Sequence, residues 1–338
     1  MSRKRLTDIF FIIGVVAVIV MLLTFEVSFA ELWRYLCDSG WWLVPILGIW
    51  VVIYGLNALS WGWIVRSVKE EHQSVPWSRI YKLTVSGYAL NYSTPVAGLG
   101  GEPYRIVELG ADIGNERATS SVILYVMTHI LAHVLFWIVG LAIYFWLAAV
   151  GLAELTSATL LATSVTLAVI VLLVCAFWAG YRHGLVMQTV RGLTHLPGLR
   201  RWGLRLLRRH GHAFERVDTQ IRMLHSQDRR TFYGSLGLEF LSRFVQSLEI
   251  LFMLILFDYD HTGLGMMFLQ SVFILTVATI LSNLLGFMPM QLGSQEGGFV
   301  LAIAMLGLPP ALGIFICIIC RVREIAWIVA GLALMKKR

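Results

Sequence analysis

Tyr88-Ala-Leu-Asn91-Tyr-Ser-Thr-Pro95-Val-Ala-Gly98-Leu-Gly100-Gly101-Glu102-Pro103-Tyr104-Arg105 is the stretch on which the fold of this chain turns. It lies inside Trp77–Leu109, which is too polar and too broken for an ordinary membrane span and too apolar for a loop. An apolar half-helix stops at Pro95, passes through glycines and restarts at Glu102. Proline removes a backbone donor and glycine lowers helix propensity, so one continuous helix is disfavoured here. A second stretch has the same layout: Asn283-Leu-Leu-Gly286-Phe-Met-Pro289-Met-Gln-Leu-Gly293-Ser-Gln-Glu296-Gly297-Gly298, running on through Leu306 to Pro309-Pro310. In both, the proline stands seven residues before the glutamate. Unwound backbone at membrane depth is tolerated only inside protein or beside a wet cavity, and paired interrupted segments point to a transporter's central site. The reading is two broken re-entrant helix pairs inside the membrane, close together, in corresponding places of an internal repeat.

The rest of the chain supplies the membrane. Its 338 residues are 58% hydrophobic and 14% charged, against about 25% charged in soluble domains. Seven apolar runs, Ile9–Phe29, Trp41–Val65, Ser121–Ala149, Ser157–Gly180, Phe232–Phe257, Met266–Phe287 and Ala311–Met335, reach the roughly 20 residues that cross a hydrocarbon core. The predicted class is therefore an all-α polytopic membrane protein, about seven full spans plus the two broken pairs. It is read as a single membrane domain over 1–338, with halves at 1–180 and 232–338 around a cytoplasmic arginine-rich loop at 181–231. The first run lacks a small-residue cleavage site and reads as a retained helix. No polar stretch is long enough for a separate catalytic domain.

The net charge of +7 is distributed in a way that points to topology rather than nucleic acid. Arg3, Lys4 and Arg5 precede the first run, Arg66 and Lys69 follow the second, and eleven arginines against three acids occupy Tyr181–Thr231. The alternate loops are poor in base, which places the N-terminus and the arginine-rich loop in the cytoplasm. Within that loop Leu199, Trp202, Leu206, Phe214, Val217, Ile221 and Leu224 keep helical spacing among arginines, the pattern of an interfacial amphipathic helix. Seven full spans leave the C-terminus outside, yet Lys336-Lys337-Arg338 favours the cytoplasm. The conflict disappears if Leu285–Leu308 effectively crosses the membrane.

Ionisable residues within spans are costly and are candidates for function. Glu239 and Arg243 stand four apart with Gln246 on the same face, and Arg321 and Glu324 stand three apart with Arg323 between them. Both pairs have the spacing for an ion pair on their own helix. Arg321 sits at a depth that demands a partner or a cavity, and its fork suits a phosphate. His129 and His133 also stand four apart, but no third ligand or intervening acid accompanies them, so no metal or other cofactor is expected. Cys317-Ile-Ile-Cys320 in an apolar helix reads as packing. No nucleophile elbow, P-loop or dinucleotide fingerprint is present.

The elements Asn91-x3-Pro95…Gly101-Glu102-x2-Arg105-x3-Leu109 and Pro289…Gly293-Ser-Gln-Glu296 followed by Pro309-Pro310, with Arg321 in the last span, resemble a flippase-like transmembrane family. That family includes the membrane domain of the lysylphosphatidylglycerol synthases. The resemblance implies movement of a lipid between leaflets, in a bacterial cytoplasmic membrane. The stretch ends at Arg338 without the synthases' soluble aminoacyltransferase domain, and Thr128-His129 stands where the family often has an acid–arginine pair; both argue against lysylated lipid.

The expectation is thus a lipid transporter rather than an enzyme. Asn91, Pro95, Gly101, Glu102, Arg105, Pro289, Glu296 and Arg321 would contact a headgroup, supported by Glu239, Arg243, Glu324 and His129. The partners are membrane lipids carrying an anionic phosphate, with self-association or a lipid-modifying enzyme as further partners and no nucleic acid. Alternatives are an enzyme on a lipid headgroup with Glu102 or Glu296 as base, and a scaffold for such an enzyme. Orientation is tested by labelling intact cells with an impermeant thiol reagent. Thr262→Cys should react and Ser226→Cys should not; the reverse pattern would invert the topology.

Overall fold

An apolar run leaves backbone N–H and C=O groups no partner except one another, so the long runs fold as helices. The computed structural model describes residues 11–12, 37, 39–67, 75–93, 100–183, 207, 229–257, 263–284 and 293–336. Nine α-helices lie among these residues: α1 (Leu43–Ser67), α2 (Trp77–Ser93), α3 (Gly101–Ile113), α4 (Asn115–Ala149), α5 (Ser157–His183), α6 (Arg229–Leu256), α7 (Leu264–Leu284), α8 (Ser294–Met305) and α9 (Pro310–Lys336).

Three stretches, not seven, combine the length and the apolar composition of a span among the described residues: Gly40–Ser67, Asn115–Ala149 and Leu264–Leu284. Two of the other expected spans are long enough but interrupted by charge, α6 by Glu239, Arg243 and Glu249, and α9 by Arg321, Arg323 and Glu324. In α5 the apolar part is the shorter stretch Ser157–Leu172. Apart from residues 11–12 the run Ile9–Phe29 lies outside the described residues, as do Pro95, Pro289 and, except for residue 207, the amphipathic part of the arginine-rich loop.

Side-chain contacts define two ends of the bundle. At one, Arg66 stacks 3.9 Å over Trp77 and donates to the Val75 carbonyl at 2.7 Å, and Arg117 donates to the Val65 carbonyl at 2.9 Å. This end therefore gathers the finish of α1 and the starts of α2 and α4. At the other, the Tyr144 hydroxyl donates to the Glu154 carbonyl at 2.7 Å, and the Glu154 N–H donates to the Met305 carbonyl at 3.0 Å. Trp42 meets Phe252 and Phe257 meets Phe315 at this second end, bringing in α6 and α9. Helices α1 and α6 run antiparallel between the ends, fastened by Ser60 to Ser235 at 2.7 Å and Trp50 to Glu249 at 2.9 Å.

The first broken segment is an antiparallel hairpin of α2, about 26 Å long, and α3, about 20 Å. Both arms open at the Arg66 end, where Arg79 bridges Glu108 at 2.9 Å and Asp112 at 3.1 Å. Toward the tip the backbones nearly touch: a Cβ on Gly101 would lie 2.0 Å from the Gly87 carbonyl oxygen.

The second segment differs from the expected pair of half-helices. Asn283 belongs to the last turn of α7, so the first arm is the whole of Leu264–Leu284. The second arm, α8, has 12 residues and is bounded by Gly293 and Gly307, both at positive φ. At about 18 Å α8 alone is shorter than a core of about 30 Å; the expected crossing by Leu285–Leu308 includes residues 285–292, which lie outside the described residues. A Cβ on Gly298 would lie 2.6 Å from the Cα of Ala278, so α7 and α8 press together as the first hairpin does. This hairpin opens at the Glu154 end, from which α9 returns until Lys336 lies 4.1 Å from the Phe11 ring. The end of α9 thus comes back toward the Arg66 end.

These contacts make the glycines a stability test. Gly101→Ala and Gly298→Ala should each cost about 1–3 kcal/mol through backbone overpacking. Gly265→Ala, with nothing within 4 Å of the added Cβ, should be neutral or slightly stabilising. Thermal unfolding of the detergent-solubilised chain measures the difference, and equal midpoints for all three would refute the close approach.

Candidate functional site

The tips of the two hairpins line one cavity of about 540 Å³, the first through Asn91, Tyr92 and Glu102 and the second through Ser282, Asn283 and Gln295. Ile130 of α4 also lines it while remaining 54% exposed, so the cavity reaches the outer surface of the bundle beside α4. Its charged groups fall into three tiers along the bundle.

The first tier hangs on Asn91 at the end of α2. Its Oδ1 accepts the Gly101 N–H and its Nδ2 donates to Glu102 at 3.1 Å, so one amide both starts α3 and orients the glutamate. Arg105, one turn on, is 1% exposed. Its guanidinium donates to Glu102 at 3.4 Å and to the Thr84 carbonyl at 3.2 Å, among the rings of Trp61, Tyr88 and Tyr125. Gly87 makes room for it, since a Cβ there would lie 2.2 Å from the Arg105 Nε.

In the middle tier the expected ion pair within α6 does not form, because both side chains turn to α4. Glu239 meets His129 Nδ1 at 2.7 Å, and Arg243 Nη1 lies 3.2 Å from His133 Nε2 while donating to Gln246 at 2.8 Å. The four-residue spacing of His129 and His133 matches that of Glu239 and Arg243, so two helices in register pair one with the other. The Tyr88 hydroxyl lies 3.2 Å from His129 Nδ1 and 3.0 Å from the Tyr125 hydroxyl, and accepts from Asn57 at 3.3 Å. Arg243 is 7% exposed, lines the cavity, and makes no ion pair with a carboxylate among the described residues; its Nε has no hydrogen-bond partner there.

The third tier joins α6, α8 and α9. Arg323 donates to Glu249 at 2.9 Å and lies 4.1 Å over the Trp50 ring, whose N–H donates to the other Glu249 oxygen. Arg321 forks between Glu296 at 2.8 Å and Glu324 at 2.8 Å, so its pairing within α9 is joined by one to α8. Gln295 donates to Glu324 at 3.1 Å. Neither Arg321 nor Glu296 is among the residues lining the cavity, whereas Glu102, Arg105, His129, Arg243 and Glu324 are.

Sequence reading did not single out Glu249, Tyr88 or Tyr125 as site residues, and it weighed His133 only as a metal ligand. Glu249 had a signal: 239, 243, 246 and 249 continue one face of α6 at helical spacing. The tyrosines had none, since nothing in their own segments marks which ring will surround an arginine. Cys317 and Cys320 are free and buried, and Cys320 lines the cavity with its thiol 3.9 Å from a Glu249 oxygen. Among the described residues no group of three potential metal ligands occurs.

Comparison with known sequences adds the family. A family profile described as the lysylphosphatidylglycerol synthase TM region matches residues 10–332. Neither a search of curated proteins nor one of solved structures finds a match. The match covers nearly the whole chain and agrees with its apolar helices, which makes this an integral membrane protein of a family connected with lipid headgroup modification. The chain belongs to the lysylphosphatidylglycerol synthase transmembrane-region family.

Proposed function

We propose that this protein moves a lipid with an anionic, phosphate-bearing headgroup between the leaflets of the membrane. The observation that carries this reading is Arg243, a buried cation facing the cavity without a carboxylate partner. An uncompensated buried charge is costly, and in a membrane protein its usual justification is a ligand or a conduction path. A phosphate oxygen beside Arg243, with Gln246 and His133 next to it, supplies the missing charge through bonds of the strong, charge-assisted kind. Arg321, whose fork is filled by two glutamates, is assigned instead to bracing the second tip against α9.

The architecture supports transport. Among the described residues, α1, α4, α5, α6 and α9 stand around two hairpins that open at opposite ends of the bundle and meet at the site. Inverted pairs of interrupted segments meeting near the midplane are the layout of alternating-access transporters. The headgroup occupies the polar cavity while acyl chains leave past Ile130 into the bilayer. Glu102 and Arg105 set the floor of the cavity on one hairpin, and Glu324 with Gln295 its opposite wall on the other. A lipid-modifying enzyme that makes the cargo fits the family connection as a partner.

Reconstitution tests the assignment. Liposomes containing the purified chain should translocate tail-labelled phosphatidylglycerol faster than empty liposomes, without altering the headgroup. Arg243→Gln should slow translocation by about tenfold or more, equivalent to roughly 1.4 kcal/mol of lost interaction. Its thermal midpoint, measured alongside, separates a lost headgroup contact from a lost fold. A wild-type rate in Arg243→Gln would overturn the assignment, and chemical conversion of the headgroup would favour an enzyme.

A further inference from the structure

The contact between His129 Nδ1 and Glu239 Oε2, at 2.7 Å, requires one hydrogen between two groups that both titrate. Glu239 is fully buried, and the hydroxyls of Ser60 and Tyr125 face its carboxyl group. His129 is 21% exposed at its side chain and lines the cavity, and its Nε2 makes no hydrogen bond among the described residues. The pair therefore has a sealed end at the carboxylate and an open end at the imidazole.

The groups facing the pair come from every helix packed on it. Helix α4 itself brings Tyr125 and His133, α2 brings Tyr88, α3 brings Arg105, and α6 brings Arg243 from the turn after Glu239. From α1 the facing group is Ser60, which does not titrate in this range. The His129 and His133 rings are 4.6 Å apart, and His133 Nε2 is 3.2 Å from Arg243. The open end of the pair is thus one ring away from the cation assigned to the headgroup phosphate.

We infer that His129 and Glu239 form a proton-binding site whose occupancy is coupled to anion binding at Arg243. The inference rests on the proposed headgroup site. In the unloaded state neutral His129 donates Nδ1–H to the Glu239 carboxylate. A proton from cavity water adds to the Nε2 lone pair, giving an imidazolium that keeps its bond to the carboxylate; on unloading, that proton returns to water. Arg105 and Arg243 oppose loading while the cavity is empty, and a phosphate arriving at Arg243 removes much of that opposition. Reciprocally, the loaded imidazolium draws the phosphate, since coupling between two sites acts equally in both directions. A pH difference across the membrane then biases the direction in which the lipid moves.

Calorimetric titration of the full chain in detergent with dihexanoyl-phosphatidylglycerol, in two buffers of different ionisation enthalpy, counts the protons taken up on binding. The wild type should take up close to one proton, its affinity falling about tenfold per pH unit above the apparent pKa of the pair. Glu239→Gln and His129→Gln should still bind, with uptake near zero and a flat pH profile; glycerol 3-phosphate, titrated in parallel, should show the same linkage if the phosphate alone is sensed. Zero uptake by the wild type, or unchanged uptake in whichever variant folds, overturns the proton site and leaves the headgroup reading standing. No binding of either phosphate compound by the wild type removes the headgroup reading and this inference with it.

Discussion

A buried arginine has to find its counter-charge inside the bundle, because the surrounding hydrocarbon offers neither water nor ions. Arg105, Arg321 and Arg323 meet this demand with Glu102, Glu296, Glu324 and Glu249, each pair spanning a turn or joining two helices. Breaking a buried pair by removing one member costs about 3–5 kcal/mol, so Arg321 with Glu296 and Arg323 with Glu249 fix how α6, α8 and α9 stand relative to one another. Arg243 is the exception on which the functional reading depends. His133 and Gln246 lie within hydrogen-bond distance of its guanidinium, yet no carboxylate among the described residues forms an ion pair with it.

The same economy shapes the backbone. A chain that turns back at membrane depth must cover its own peptide groups, and close contact between the arms is one way to do so. Gly101 lying on Gly87 and Gly298 lying on Ala278 bring each returning helix against the outgoing one at a separation that a side chain would prevent. Asn91 then satisfies the first N–H of α3 and turns Glu102 toward the cavity, so the break in the helix and the placement of a charge are one event. In the second hairpin Gly293 and Gly307 bound a short arm, and Gln295 reaches across to Glu324 on α9. Polar atoms reach a common cavity there because neither hairpin continues as an apolar helix.

Much of this was legible in the sequence, for physical reasons that can be stated. Proline and glycine mark where a helix must stop; the described helices end at Ser93 and Leu284 and begin again at Gly101 and Ser294, while Pro95 and Pro289 lie outside the described residues. Charges inside apolar runs marked α6 and α9 as polar-centre helices. What a single strand of sequence could not carry was direction across the bundle. Glu239 and Arg243 have the spacing of an intrahelical pair, but the nearer partners came from α4, 110 residues away in each case. Arg321 was correctly read as needing a partner, whereas its depth said nothing about whether it would face the cavity or stand beside it. Met266–Phe287 has the length of a full span by itself, and Leu264–Leu284 keeps that length and apolar composition; the packing of Gly298 on Ala278, which pairs it with α8, has no signal in either segment alone.

The central claim is that the space between the two hairpin tips holds a lipid headgroup at Arg243. An experimental structure of the chain in nanodiscs made from polar lipid extract tests it most directly. The account predicts phosphate density within hydrogen-bond distance of the Arg243 guanidinium, with acyl density leaving the bundle past Ile130. A cavity filled by water alone, with every ordered lipid phosphate at the two membrane surfaces, would contradict it.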